Sequence, residues 1–276
     1  MDLMSYLERA KALDRLTEPV QRIARRLPPG KARDALYGVW LGHPLHPVLV
    51  QVPVGTWLSA SLLDATPGNE RASRRLVLAG LAAAVPSALA GAADWSEQHE
   101  QQMRTGLIHA AANAAAIALY AASAVAPDRP AKRLRLAGLA AAGAGGFIGG
   151  HIAYRQSAGA NQAEAVPHLV EPGWHDVMAL AELEVGKPVK RMLGDVPVVV
   201  VRDGDGVHVL ADRCSHLSGP LSDGDYHDGC LTCPWHGSTF RVSDGTVARG
   251  PATSPQPAFV TRAANGVLQA CLPGAG

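Results

Sequence analysis

Four side chains that can bind a metal lie close together near the end of the chain, in two short groups. Cys214 and His216 are separated by one residue, and sixteen residues later Cys233 and His236 are separated by two. Thiolates and imidazoles are ligands that zinc and iron favour in proteins. The spacing therefore predicts a four-ligand site built from two loops, and it leaves both a zinc ion and an iron–sulfur centre open.

The other two cysteines offer less chemistry. Cys230 and Cys233 form a Cys-x-x-Cys pattern, but in redox proteins this pattern precedes a helix, and no helical pattern follows here. Four cysteines in 276 residues are also too few for a disulfide scaffold. We therefore expect Cys230 and Cys271 to pack within strands.

The segment around the four candidate ligands resembles a Rieske [2Fe–2S] domain over about residues 174–272. The resemblance rests on three stretches: Gly219-Pro220-Leu221, Cys233-Pro234-Trp235-His236-Gly237-Ser238-Thr239-Phe240 and Gly250-Pro251. It implies that Cys214 and Cys233 hold one iron and that His216 and His236 hold the other. Such a cluster transfers one electron at a time, so the resemblance implies an electron carrier with a redox partner protein rather than a self-contained enzyme.

Two features depart from the high-potential Rieske proteins of quinol-oxidising complexes. Those proteins clamp their ligand loops with a disulfide, and the matching positions here are Gly219 and Trp235. They also place a Tyr where this chain has Phe240, although Ser238 is retained. Fewer hydrogen-bond donors to the sulfurs favour a lower potential. The domain thus resembles the ferredoxin type found in dioxygenase electron carriers and nitrite reductase small subunits.

The elements that must position these ligands are short strands. Residues 197–201 and 207–210 are apolar runs on either side of the turn at 203–206, and further turns follow at regular intervals. The pattern predicts an all-β domain at 174–276, preceded by a linker at 155–173.

The first half of the chain has a different pattern. Four stretches contain no Asp, Glu, Lys or Arg: residues 35–63, 76–93, 105–127 and 136–154. About 20 apolar residues cross a bilayer as a helix, so the pattern predicts an all-α bundle of four transmembrane helices at 35–154. A soluble bundle is the alternative, but Ser87 is the one polar residue of the second stretch, too little for a water-facing side. Apolar residues at helical spacing among charges in 1–34 predict an amphipathic helix on the membrane surface or against the next domain.

Four histidines stand at the predicted helix ends on one face of the membrane: His43, His46, His109 and His151. Imidazoles can bind haem iron or another metal, or a quinone, and ionisable groups at membrane depth often serve function. The alternative is that each bonds to a loop carbonyl at the interface. With the Asp-Trp pair and Gly-Gly-His, these residues resemble an uncharacterised bacterial four-helix membrane domain that occurs fused to Rieske domains.

Two functions other than an electron carrier remain open from these residues. One is a membrane oxidoreductase that acts on quinone with haem or metal bound by the four histidines, and the other is a redox sensor. The net charge of +1 argues against a nucleic-acid partner. The lipid bilayer is an expected partner, with the protein integral to the cytoplasmic (inner) membrane.

The predicted sidedness rests on two conflicting signals. Basic residues in the first and third short loops favour a cytoplasmic position for those loops and an exported Rieske domain. The basic N-terminal segment lies on the opposite face, however, and no export signal for a folded cluster domain is evident. The sequence analysis therefore places the Rieske domain in the cytoplasm.

Overall fold

The chain is described by a computed structural model that covers residues 3–27, 29–204 and 206–276. Residues 1, 2 and 28 of the predicted N-terminal segment, and Asp205 of the predicted turn, lie outside the described residues. The chain divides into two compact units. The first consists of Met1–Pro29 and Pro44–Ala158, and the second of Gly30–His43 and Gly159–Gly276.

The first unit is helical. Its helices are α1 (Leu3–Glu8), α2 (Asp14–Ala24), α4 (His46–Leu49), α5 (Gln51–Leu63), α6 (Glu70–Trp95), α7 (Glu100–Val125) and α8 (Asp128–Gly150), followed by a π-helical turn (His151–Arg155). Three helical segments are long and apolar enough to cross a membrane: Glu70–Trp95, Glu100–Val125 and Asp128–Arg155.

The count of four membrane helices is not confirmed. The first predicted stretch, 35–63, is broken rather than continuous, because Gly38 and Gly42 adopt left-handed backbone angles that end helical segments. Helix α3 (Lys31–Tyr37) therefore stops early, and α5 within this stretch has 13 residues. The described residues thus confirm a helical region with three candidate spans.

Glycines in the long helices make room for large side chains of neighbouring helices. A Cβ at Gly145 would lie 2.7 Å from Asn113, and one at Gly149 would lie 3.0 Å from the His109 ring, whereas Gly146 faces open space. Polar side chains of α7 therefore fill the space beside these two glycines of α8. The glycines make room for those side chains in addition to allowing close approach of the helix backbones.

The N-terminal helices pack against the rest of the first unit through polar contacts. Arg104 of α7 is buried and donates two hydrogen bonds to the Asp14 carboxylate, at 2.6 and 2.8 Å. Gln21 of α2 donates to the Ser96 carbonyl oxygen at 2.7 Å. These contacts hold α2 on the helical unit.

The second unit is mostly β-structure. Its elements are α3 (Lys31–Tyr37), α9 (Val166–Leu169), β1 (His175–Ala179), β2 (Val189–Leu193), β3 (Val196–Arg202), β4 (Val207–Ala211), β5 (Asp225–His227), β6 (Cys230–Thr232), β7 (Thr239–Arg241), β8 (Val247–Arg249), β9 (Ala258–Ala264) and β10 (Val267–Cys271). A six-stranded antiparallel sheet has the order β1-β10-β9-β4-β3-β2, and a four-stranded sheet has the order β5-β6-β7-β8.

Strand β3 lies between two apolar cores, which explains its uninterrupted valine run. Val198 and Val200 belong to the core on one face of the large sheet. Val199 and Val201 belong to a second core, which also contains the candidate ligands Cys214 and Cys233 and residues of the small sheet. Because side chains alternate along a strand, both faces of β3 must be apolar. This packing fixes the small sheet against the large one.

The second unit includes two segments that the predicted domain boundaries placed in the membrane bundle and in the linker. The predicted bundle began at residue 35, yet residues 30–43 belong to the second unit. The Gly250 N–H donates to the Asp34 carboxylate at 3.0 Å, and Tyr37 packs against Gly250. In the predicted linker, Ala163 is fully buried. These long-range contacts have no signature in local composition.

Candidate iron–sulfur site

The four candidate ligands lie in two loops of the second unit. Cys214 and His216 follow β4, and Cys233 and His236 lie between β6 and β7. The first loop thus extends from the large sheet, and the second connects two strands of the small sheet.

The first loop is closed by backbone hydrogen bonds. The N–H of Cys214 donates to the carbonyl oxygen of Gly219 at 2.8 Å, and the N–H of Ser218 donates to the carbonyl oxygen of Cys214 at 2.9 Å. Ser218 has a left-handed backbone with φ +63°. This tight turn keeps the cysteine at a defined position.

The second loop has the same pattern. The N–H of Cys233 donates to the carbonyl oxygen of Ser238 at 2.8 Å, and the N–H of Gly237 donates to that of Cys233 at 3.1 Å. Gly237, at the position equivalent to Ser218, also has a left-handed backbone with φ +75°. The two loops are therefore structural equivalents, each with a cysteine at its start and a histidine within its turn.

The structure places the two candidate cysteine ligands together and the two candidate histidine ligands together. Cys214 and Cys233 lie in the same buried core, with their sulfurs close enough to shift each other's pKa. The rings of His216 and His236 have their centres 5.1 Å apart and lie nearly perpendicular. Both cysteines are buried and both histidines are half-buried. The site is thus divided into a buried sulfur pair and an imidazole pair nearer the surface.

The surroundings of the two sulfurs favour a thiolate at Cys233. The hydrogen bond from Cys214, together with backbone N–H groups of Trp235 and His236, lowers the pKa of Cys233 to about 7. The pKa of Cys214 is raised, because its thiol donates to the Cys233 sulfur and is buried. A thiolate is the form of cysteine that binds iron, so backbone donors around these sulfurs suit a metal centre.

Glycine is required beside the sulfur pair. A Cβ at Gly219 would lie 2.8 Å from the Cys233 sulfur and 3.0 Å from the Trp235 ring. Gly219 and Trp235 are therefore neighbours, although a disulfide between these positions is impossible with these residue types. All four cysteines are free thiols, and Cys230 and Cys271 lie within β6 and β10.

A buried clamp that the sequence analysis missed holds the first loop at Ser215. The Ser215 N–H donates to the Gln256 side chain at 3.0 Å, and its hydroxyl donates to the Ser254 carbonyl oxygen at 2.7 Å. Its own carbonyl oxygen accepts from the N–H of Gln162 at 2.9 Å. Gln256 also donates to the Ala211 carbonyl oxygen. A glutamine about forty residues from its partners carries no local signal, so only the structure could reveal it.

The two residues compared with high-potential proteins are both fully buried. The Ser238 hydroxyl lies beside Cys214, where its hydrogen bond favours the thiolate, and it accepts from the N–H of Ala252 at 3.0 Å. Phe240 packs in the same apolar core as Cys214 and Cys233. One hydroxyl donor is thus present near the sulfurs, and an apolar ring fills the second position.

The division of these residues into two pairs fits a [2Fe–2S] cluster. In the part of the chain that the structure describes, no three His, Cys, Asp or Glu side chains are grouped to hold one ion. A binuclear cluster requires only two protein ligands for each iron. Two cysteines together and two histidines together provide that division.

Two of the four bundle histidines meet in the helical unit. The rings of His46 and His109 have centres 6.1 Å apart at an angle of 82°. His46 Nδ1 lies 2.8 Å from the Ser87 carbonyl oxygen, and His109 Nδ1 lies 2.8 Å from that of Gly145. Each imidazole is therefore tied to the backbone of a neighbouring helix.

The other two bundle histidines have different surroundings. His151 Nε2 lies 2.7 Å from the Glu8 carboxylate, and His43 belongs to the second unit. Among the described residues, no three or more His, Cys, Asp or Glu side chains are grouped to hold a metal ion. A haem or metal held by all four histidines is therefore not supported.

The two loops, their donors and the paired sheets define a Rieske-type iron–sulfur domain. Residues 173–262 match the family described as Rieske [2Fe–2S] domain, and residues 42–162 match a family described as predicted membrane protein (DUF2231). The fusion that the sequence resembles is thereby confirmed.

Similar proteins include two ferredoxins. The anthranilate 1,2-dioxygenase ferredoxin subunit of Burkholderia cepacia is 32% identical over 96 residues, which are 35% of this chain and 89% of that protein. Ferredoxin CarAc of Metapseudomonas resinovorans is 33% identical, over 31% of this chain and 81% of that protein. The solved ferredoxin of carbazole 1,9a-dioxygenase from Nocardioides aromaticivorans is 28% identical, over 36% of this chain and 97% of that one, with a TM-score of 0.35. The chain belongs to the Rieske family and carries a ferredoxin-type electron-carrier domain homologous to dioxygenase ferredoxins.

Proposed function

We propose that this protein is a membrane-anchored Rieske carrier that passes single electrons to or from a partner oxidoreductase. The observation that carries the proposal is the pairing of Cys214 with Cys233 and of His216 with His236 in equivalent loops. These four residues would hold the cluster, which supplies a one-electron couple when bound. The chain's own residues bury the sulfurs, donate hydrogen bonds to them and keep the imidazoles near the surface.

The position of the imidazoles indicates where the partner docks. His216 and His236 are half-buried, and Trp235 beside them is 50% exposed. Electron transfer requires close approach of the partner, so the partner is expected to contact this histidine side of the domain. Relatives that are ferredoxin subunits of dioxygenases support an oxygenase as the class of partner.

Reduction of the full-length protein tests the proposed carrier directly. We expect dithionite to produce a Rieske-type EPR signal from about one cluster per chain, and air to remove it. Reduction and reoxidation should proceed in detergent without any added substrate, because an electron carrier needs none. A colourless protein without this signal would contradict the proposal.

Apolar side chains on the outside of the helical unit support its place in a lipid bilayer. Leu62, Val85, Leu136 and Phe147 are each at least 60% exposed. Water does not favour so many exposed apolar groups on long helices, whereas lipid does. We therefore propose that this unit anchors the carrier in the bilayer.

Alkaline phosphatase fusions test the proposed cytoplasmic Rieske domain. Phosphatase is active only outside the cytoplasm, so a fusion after Gly276 is expected to give low activity in intact cells. The matched fusion after Pro127, which keeps the first two candidate spans and precedes the third, should give high activity because one span separates the two points. The reverse pattern of activities would place the Rieske domain outside.

Phe240→Tyr tests whether the apolar ring at this position contributes to the expected low potential. The new hydroxyl would lie in the core that contains both cysteines, and a hydrogen bond to the cluster should raise the midpoint potential by something on the order of tens of millivolts. The control is Phe259→Tyr, which adds a hydroxyl in the core on the other face of the large sheet and should leave the potential unchanged. Equal shifts in both variants would contradict a specific hydrogen bond.

A further inference from the structure

The helical unit contains an internal repeat. Residues 74–84 of α6 read Arg-Arg-Leu-Val-Leu-Ala-Gly-Leu-Ala-Ala-Ala, and residues 132–142 of α8 read Lys-Arg-Leu-Arg-Leu-Ala-Gly-Leu-Ala-Ala-Ala. The two segments are identical at nine of eleven positions. Each helix is preceded by its hairpin partner, α5 in the first case and α7 in the second. The unit is therefore built from two related helical hairpins.

Equivalent residues of the two hairpins meet in space. Trp57 lies against Gly80, and Tyr120 lies against Gly138, which is the glycine equivalent to Gly80. The two aromatic rings stack on each other with their centres 4.3 Å apart. Contact between equivalent residues is the arrangement that a two-fold relation between the hairpins produces.

The histidine pair occupies the next equivalent positions. His46 and His109 each precede the aromatic residue of their hairpin by eleven residues, and Gly91 and Gly149 each follow the repeat glycine by eleven. A Cβ at Gly91 would lie 2.8 Å from the His46 ring, and one at Gly149 would lie 3.0 Å from the His109 ring. Each glycine lets an imidazole reach the carbonyl oxygen one turn earlier, at 2.8 Å in both hairpins.

The hydrogen bonds to these carbonyls determine which ring nitrogen is available. A carbonyl oxygen only accepts, so Nδ1 of each imidazole carries the proton and Nε2 keeps its lone pair. A metal at Nε2 of His109 would displace the Asn113 amide, which lies 3.2 Å from that nitrogen, while Nε2 of His46 has no hydrogen-bond partner among the residues that the structure describes. Histidines that bind metals usually donate their other N–H to a carbonyl or carboxylate in this way.

We propose that His46 and His109 bind one transition-metal ion between their Nε2 atoms, either a bare Cu²⁺ ion or the iron of a haem. Imidazole is a favoured ligand of both. Two imidazoles on opposite sides of one ion, each with a metal–nitrogen bond of about 2.0 Å, have ring centres about 6 Å apart, which agrees with the observed 6.1 Å. The site lies in the helical unit and is independent of the cluster loops.

Copper titration of the full-length protein in detergent tests this site. With the cluster oxidised, Cu²⁺ is expected to fill one tight site whose EPR spectrum shows coupling to two imidazole nitrogens. His46→Asn and His109→Asn keep an N–H for the carbonyl but remove Nε2, and each should weaken binding by about 100-fold. The control His151→Asn, in the same unit, should bind as tightly as the unchanged protein. A retained Rieske signal in each variant shows that the protein is loaded and folded.

A pyridine haemochrome assay of the purified protein distinguishes the two sources of metal. One haem per chain that is lost in both His46→Asn and His109→Asn supports haem iron. No haem together with the two-nitrogen copper site supports a bare ion. The proposal is overturned if the unchanged protein contains no haem and shows no copper site with two nitrogens, or if His151→Asn weakens binding as much as the other two substitutions.

Discussion

His236→Ala is expected to abolish the EPR signal of the reduced cluster, and His216→Ala is expected to do the same. Both imidazoles lie together at the half-buried end of the site, where they are proposed to bind the same iron. Removing one leaves that iron without a full set of ligands, and alanine offers no substitute. EPR of the dithionite-reduced protein, with iron and sulfide analysis, measures the loss. A cysteine at either position supplies a thiolate instead, so we expect those variants to retain a cluster at a lower potential.

Cys230→Ser is the matched control for ligand loss. Cys230 is a free thiol three residues from Cys233, within strand β6. Since it is not among the proposed ligands, its replacement should leave the signal and the iron content unchanged. Loss of the cluster in Cys230→Ser with an intact cluster in His236→Ala would show that the ligand assignment is wrong.

Gln256→Leu is expected to release the first ligand loop and make the cluster labile. The Gln256 side chain is almost fully buried. It bonds the N–H of Ser215 and the carbonyl oxygens of Ala211 and Arg213. Leucine has a similar volume but would leave three backbone groups without partners, each at a cost of about 1–3 kcal/mol. We expect unfolding at clearly lower denaturant concentration and faster bleaching of the cluster absorbance.

Gln269→Leu provides the comparison for that loss. Gln269 lies in β10, where its hydrogen bonds to Arg262 and Asp176 are exposed to solvent. Water can replace these partners, so the substitution should change stability by less than about 1 kcal/mol. Similar bleaching rates in the two variants would mean that Gln256 does not hold the loop.

The cluster site was predictable because its chemistry is local. Each ligand pair lies within four residues, and the neighbouring glycine and proline positions are part of the same short segments. The clamp on Ser215 was not predictable, because Gln162 and Gln256 approach it from distant parts of the chain. The limit of the β unit was missed for the same reason, since Asp34 reaches Gly250 across more than two hundred residues.

For the helical unit, the sequence by itself determined the apolar spans and the identity of the histidines. A helix of about 20 apolar residues matches the thickness of a bilayer, so candidate spans can be recognised from the sequence without knowledge of the fold. Only the tertiary structure decided which histidines meet. His46 and His109 come together because equivalent glycines of two repeated hairpins admit their rings, while His151 pairs with Glu8. Contacts between helices depend on which faces pack, and that information is distributed over the whole unit rather than held in any one motif.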